Sequence, residues 1–423
     1  MTPSVAELRS ARWVAALFLL VVLFQRFAIP GVPLTGLLVP IVLLWTIVAL
    51  LRGVVELDRT RLTWWFAAAA VSAFFMLVQA RFVPGAEVSI TAWGLVMAVW
   101  LPFTVRMVER GTAAYLAMLG YVVKISTALA ILAIMMIASQ LIGIPYRDWF
   151  AILVPKSLQL EGFILTYPIT YGSDIYKASG WIGLEPSVVS ALIGLGLLAA
   201  LFVRARLWVM AILLLGLVST LSGSGIAIVV VGVLVMLFHR SRRLLVPFIG
   251  VSIVVILASA FTQFGQILLG RTTEFQSADS STSLRALEPY SLLYPRWTES
   301  LSGMVLGYGP GSSQRVVSDA NILGLLVPSP AKVFFEYGLI AGIVLAAFIL
   351  LCYWGSPSRA FALTLLCSLW VLQTGITTIV FVTPLLALVS LWSPRIGPPI
   401  ETILPLPRPD KVPAQSFDVA MRH

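Results

Sequence analysis

The chain has 423 residues, of which 59% are hydrophobic and only 11% charged, with a formal net charge of +10 and a mean hydropathy of +0.99. A soluble globular domain carries about 25% charged residues, so that class is excluded, and one buried helix cannot absorb this much apolar sequence. Nor does the positive charge mark a nucleic-acid binder: the arginines fall singly or in twos and threes between apolar runs, as topology signals do.

A bilayer-spanning helix needs about 20 apolar residues, and spanning backbone must form helices or a closed barrel. The runs here are continuous rather than alternating, which predicts helices. Taken in order they lie near 12–29, 34–51, 62–80, 88–105, 114–141, 185–203, 207–221, 225–238, 244–269, 331–352, 360–377 and 379–392. The first, opening at Trp13, has no small-residue cleavage site after it and reads as an uncleaved span. With the N-terminus in the cytoplasm, the short hinges at Arg52, Arg59 and Arg61, at Arg106 and Arg110, at Arg204 and Arg206, and at Arg240, Arg242 and Arg243 all fall inside. The positive charges left outside sit mostly in long loops, where the orientation rule has less force.

The expected fold is therefore an all-α polytopic membrane protein with about twelve transmembrane helices, two long extracytoplasmic loops and both termini cytoplasmic. Spans one to five fill 1–141, the first outer loop 142–184 and spans six to nine 185–269. The second outer loop fills 270–330, spans ten to twelve 331–392 and a Pro-rich cytoplasmic tail 393–423.

Several positions interrupt the apolar pattern. Lys124 lies inside the fifth span; a charge at bilayer centre costs about 2.5–3.5 kcal/mol, so it should face protein or a water-filled cavity, or snorkel. The first outer loop is rich in aromatic residues (Tyr146, Trp149, Phe150, Tyr167, Tyr176 and Trp181 among them), suited to an interfacial belt or to stacking on sugars. Ser222-Gly223-Ser224-Gly225 reads as a tight helical hairpin or as a break facing a cavity, and 373–378 as a similar polar interruption. Cys352 and Cys367 both fall in apolar runs and read as small core residues, not a disulfide.

The second outer loop, with the turns flanking it, holds most of the unexplained polarity. Ser280 to Ser283 supplies N-cap residues for a short helix carrying Arg285 and Glu288 on one face. A second short helix starting at Pro295 would carry Arg296 and Glu299 in the same way. A guanidinium fork grips phosphate oxygens bidentately and keeps its charge, so two such arginines suit a diphosphate; local Arg–Glu surface bridges are the alternative. Gly307-Tyr308-Gly309-Pro310-Gly311 lacks the Lys-Ser/Thr of a nucleotide loop and signals a turn. The two histidines, His239 and His423, both fall on the cytoplasmic side, so no Ser–His nucleophile is available outside, and no Asp-rich ligand cluster predicts a metal.

Three stretches carry a resemblance: Tyr167 to Ser187, Leu221 to Gly225, and Ser283-Leu284-Arg285 through Arg296 and the Gly307–Gly311 turn to Glu336-Tyr337-Gly338-Leu339-Ile340. In order and membrane placement the chain resembles the bacterial Wzy-like oligosaccharide-repeat polymerases of the O-antigen polymerase and ligase family, over about residues 160–345. The resemblance implies a glycosyltransferase of the bacterial cytoplasmic membrane, needing neither metal nor cofactor. It would join undecaprenyl-diphosphate-linked oligosaccharides on the outer face, with membrane lipid around it and a chain-length regulator protein as a candidate partner.

By position, Arg285 and Arg296 inherit the diphosphate, with Arg271, Arg315 and Lys332 behind them. Glu185, Glu288 and then Asp174 are the candidate bases for the acceptor hydroxyl. Lys124 and Tyr290 complete the candidate substrate-binding set. Ligases of the family place a His shortly before the return helix; here Pro328-Ser329-Pro330-Ala331-Lys332 has none, which favours a polymerase.

Overall fold

The computed structural model describes residues 3–163, 167–169, 173–238, 288–320, 327–368 and 376–403, with single positions between 246 and 253 and at 325. The described chain is mainly helical. Its helices are α1 (Val5–Phe24), α2 (Leu38–Leu51), α3 (Arg59–Phe82), α4 (Ile90–Trp100), α5 (Thr112–Leu141), α6 (Trp149–Leu153), α7 (Pro186–Phe202), α8 (Leu207–Ser219) and α9 (Gly223–Leu237). From residue 288 onward follow α10 (Glu288–Thr298), α11 (Leu301–Leu306), α12 (Ser312–Asp319), α13 (Ser329–Tyr353), α14 (Arg359–Cys367), α15 (Ile379–Leu388) and α16 (Ile400–Ile403). Two short antiparallel pairs complete it: β1 (Ala28–Ile29) with β2 (Val32–Gly36), and β3 (Val55–Leu57) with β4 (Val105–Met107).

Among the described residues three helices, α3, α5 and α13, are long and apolar enough to cross a membrane. Shorter apolar helices cover the expected runs at 34–51, 88–105, 185–203, 207–221, 225–238 and 379–392. Helix α1 covers most of 12–29 and α14 only the first half of 360–377, and 244–269 lies almost wholly outside the described residues. Arg271, Arg285, positions 280–283, 373–375 and 404–423 lie outside them as well.

The helix starts follow local chemistry. Ser4 and Glu7 form a capping box at the head of α1. The Asp58 side chain accepts from the Arg61 N–H, so α3 begins before its apolar run does. Along α3 the large side chains Trp64, Phe66, Phe74 and Leu77 are exposed, the outward apolar face that a helix in lipid presents. In contrast, every residue of α7 is buried. It packs against α5, α8 and α9 through small residues, with Gly194 against Gly225 and Gly196 against Ser126, which lets backbones approach closely. The turn at 222–225 is sealed onto α7: Ser190 Oγ donates to the Ser222 carbonyl at 3.1 Å and accepts from the Gly225 N–H at 3.1 Å. It is a tight hairpin, not a break facing a cavity. Cys352 and Cys367 are free.

Helix α3 sets the scale of the molecule. Its 24 residues span about 36 Å at 1.5 Å per residue. At its N-terminal end it meets β3, β4 and the turn at Ser390–Trp392; at its C-terminal end it meets the cap formed by α10, α11 and α12. The first long loop is tied down separately, by Arg26 at the end of α1. Arg26 is buried, bridges Asp148 at 2.5 Å, donates to the Trp181 carbonyl at 3.0 Å, and lies 4.3 Å from the Phe150 ring centre.

Candidate functional site

The site is organised by a break in α13. Gly338 sits at φ 67° inside that helix, which frees carbonyls that a regular helix would bond internally. The glycine turn between α11 and α12 takes them: the Tyr308 N–H donates to the Phe335 carbonyl at 2.9 Å and the Gly309 N–H to the Glu336 carbonyl at 2.9 Å. Gln79 of α3 donates to the Glu336 carbonyl at 3.0 Å and also to the Leu306 carbonyl. On its other side the turn accepts from the Glu87 N–H at 2.8 Å and the Ser89 N–H at 3.0 Å. The turn itself needs positive φ at Gly307 (82°), Gly309 (98°) and Gly311 (91°), and a Cβ on Gly307 would run into the Gly338 backbone. Thus three chain segments interlock, and a small second core of Leu293, Tyr308, Val317, Val327 and Phe335 closes around Val83.

Within this cap the polar side chains divide sharply. Glu336 is buried, and its Oε1 accepts from Lys332 Nζ at 2.8 Å and Ser313 Oγ at 2.5 Å. Lys332, expected from the sequence as a cation for diphosphate, is therefore held by Glu336. Arg315 pairs with Glu87 at the surface. Arg296 is different. It is exposed, its guanidinium lies 5.6 Å from the centre of the Tyr308 ring, and its carbonyl accepts from the Tyr308 hydroxyl at 2.7 Å. Among the described residues no carboxylate pairs with it, Glu299 three residues on included.

Helices α10 and α13 also line an apolar groove of about 260 Å³, through Tyr290, Tyr294, Trp297, Pro330, Phe334 and Phe335. Tyr290, Tyr294 and Trp297 share one face of α10 because they are spaced by four and three. Burial pushes the Tyr290 hydroxyl above its ordinary pKa, and Trp297 Nε1 is buried with no hydrogen-bond partner. A free guanidinium and an aromatic groove carried by one helix suit an amphiphile with an anionic head and an apolar tail.

The remaining expected residues lie elsewhere. Glu185 is the residue before α7; it is buried and accepts from Ser187 Oγ at 2.9 Å. Asp174 is exposed in the first loop. Lys124 is exposed on α5, its Nζ 5.4 Å from the Tyr121 ring centre, instead of turning into the protein. Glu288 opens α10, where a carboxylate suits the helix dipole. Among the described residues no group of three or more His, Cys, Asp or Glu is placed to hold a metal ion.

Glu336, Ser313, Gln79 and Glu87 were not foreseen as site residues. The Lys332–Glu336 pair had a signal, since opposite charges four apart share a helix face. Ser313 and Gln79 had none, because their partners are distant in sequence. No family model matches this chain, and neither does any curated protein or solved structure.

Proposed function

We propose that this protein is a polysaccharide polymerase of a bacterial cytoplasmic membrane, joining undecaprenyl-diphosphate-linked oligosaccharide repeats on the outer face. In this reading the apolar runs make about twelve spans with both termini inside, and the cap over α13 faces outward. The observation that carries it is Arg296: an exposed guanidinium with no carboxylate partner among the described residues, on the same helix that lines an aromatic groove. Arg296 would bind the diphosphate, joined by Arg285 and Arg271 of the same loop. The acceptor hydroxyl attacks the anomeric carbon as its bond to the diphosphate oxygen breaks. The electron pair leaves with the diphosphate, which the guanidinium stabilises, and a carboxylate takes the hydroxyl proton. Glu288, which shares α10 with Arg296, and Glu185 are the candidates for that base. Glu336, buried and bonded to Lys332, is a positioning residue that fixes the cap.

The test is deletion in the host, with surface and lipid-linked glycans separated by size and rescue by the intact chain or by Arg296→Ala. Loss of long chains with single repeats still reaching the surface, restored by the intact chain only, is the expected result. Long chains stranded on the lipid carrier would mean a ligase. Repeats held on the inner leaflet would mean a flippase.

A further inference from the structure

The opposite end of α3 carries a second cluster of arginines that polymer synthesis does not use. Glu56 and Arg106 are cross-strand partners in the β3–β4 pair, and Arg106 Nε donates to Glu56 Oε1 at 2.8 Å. Arg106 also reaches Asp58 at 3.5 Å. Arg61 is buried and donates to the Ser390 carbonyl at 2.8 Å, Ser390 Oγ at 3.0 Å and the Ser393 carbonyl at 2.9 Å, with Asp58 3.9 Å away. Both carboxylates are thus engaged by Arg106 and Arg61. Arg110, just beyond β4, remains: its Nε and Nη1 are buried and neither has a hydrogen-bond partner. Glu109 beside it is exposed and makes no ion pair among the described residues.

Three guanidiniums therefore face two carboxylates. Burial and then the neighbouring Arg106 pull the Arg110 guanidinium below its ordinary pKa. Arginine keeps its charge in proteins, so such a site is completed by bringing in an anion, not by losing a proton. An unpaired guanidinium fork with a second guanidinium beside it suits an oxyanion with several acceptor oxygens. The cluster also sits at the head of a helix long enough to span a bilayer, the level where lipid phosphates lie.

We propose that Arg110 binds a phosphate group at this end of the molecule, from an anionic lipid headgroup or from free phosphate, with the Arg106 charge beside it. The experiment uses the full chain in detergent. Native mass spectrometry titrates phosphatidylglycerol, and thermal unfolding is followed with inorganic phosphate or with chloride at matched ionic strength. Wild-type protein should retain phosphatidylglycerol, and Arg110→Gln should bind it about tenfold more weakly. Arg52→Gln and Arg59→Gln, which remove exposed charges at the same end, should bind as wild type does. Stabilisation by phosphate over chloride, lost in Arg110→Gln, would assign the site to the free anion; retention of the lipid alone would assign it to the headgroup. Should Arg110→Gln fail to fold, Arg110→Lys, which keeps the charge but not the fork, takes its place, and binding equal to wild type in that variant overturns the proposal. Equal losses in all three variants, or no response to either probe, would overturn the proposal and leave ordered water as the partner of Arg110.

Discussion

The two ends of α3 solve the same problem in opposite ways. Each must satisfy backbone carbonyls where regular structure stops. At the Arg61 end, one buried guanidinium reaches across to the carbonyls of Ser390 and Ser393. At the Gln79 end, amide groups of the glycine turn and of Gln79 do the bonding, and one buried carboxylate is balanced by Lys332. Consequently the first end commits much of its positive charge to structure, while the second leaves Arg296 exposed. The two ends thus differ in how they hold their unpaired guanidinium, Arg110 partly buried and Arg296 exposed, which composition does not reveal.

The largest expected effect comes from breaking the balance at the Gln79 end. Glu336→Ala leaves the Lys332 ammonium and Ser313 beside an empty, largely dry position. Removing one partner of a buried pair costs about 3–5 kcal/mol. Limited proteolysis should then cut within α10 to α12 at protease levels that spare wild type, while Glu336→Gln, which keeps an acceptor for Ser313, should be milder. If Glu336→Ala is as resistant as wild type, the cap does not depend on this pair and the contrast between the ends is misdrawn.

Next is Gly338→Ala. A side chain at φ 67° is strained, and the Cβ would meet the backbone of Leu306 and Gly307. We expect a loss of about 3 kcal/mol, the upper range for such a conformation, read as a lower unfolding temperature. The variant should also lose polymer through the distorted cap, in proportion to the unfolded fraction.

The helices were legible because a continuous apolar run of about 20 residues satisfies its own backbone in lipid only as a helix; even so, α3 starts at Arg59, ahead of its run, because Asp58 caps it. Legible too was the glycine turn, from its composition alone. What it holds was not, since its partners Gln79, Glu87 and Gly338 lie far away in sequence. The same distance hides Arg61, which reads as a topology signal but bonds residues 329 and 332 positions later. Among the candidate cations, Arg315 and Arg296 look alike in sequence, as charges of one loop. Only the fold separates them, by giving Glu87 to the first, whereas Lys332 has its Glu336 four residues on.

Arg296→Ala sharpens the contrast directly. An exposed residue with no ion pair should cost the folded protein less than about 0.5 kcal/mol. If Arg296 binds the diphosphate as proposed, its loss should remove about 1.5–3 kcal/mol of binding, a ten- to roughly hundredfold fall in polymer formation. Unfolding temperature and glycan length measured on the same preparation keep the two effects apart. Full-length polymer from Arg296→Ala would remove this residue from the site.

The smallest effect is expected for Arg315→Ala, and it tests whether pairing truly decides availability. Arg315 and Arg296 lie on the same cap, and both are exposed. They differ in that Glu87 holds Arg315. An exposed pair of this kind contributes at most about 1 kcal/mol, so stability should barely move, and polymer length should stay normal because the guanidinium already has its anion. Glu87→Gln is the matching change: it releases Arg315 while the Glu87 backbone remains bonded to Tyr308. If Arg315→Ala abolishes polymer while the protein stays folded, then Glu87 yields Arg315 to the substrate, and a carboxylate partner no longer separates structural cations from functional ones. Normal polymer from Arg315→Ala beside its loss in Arg296→Ala would make that separation the rule at this end of α3.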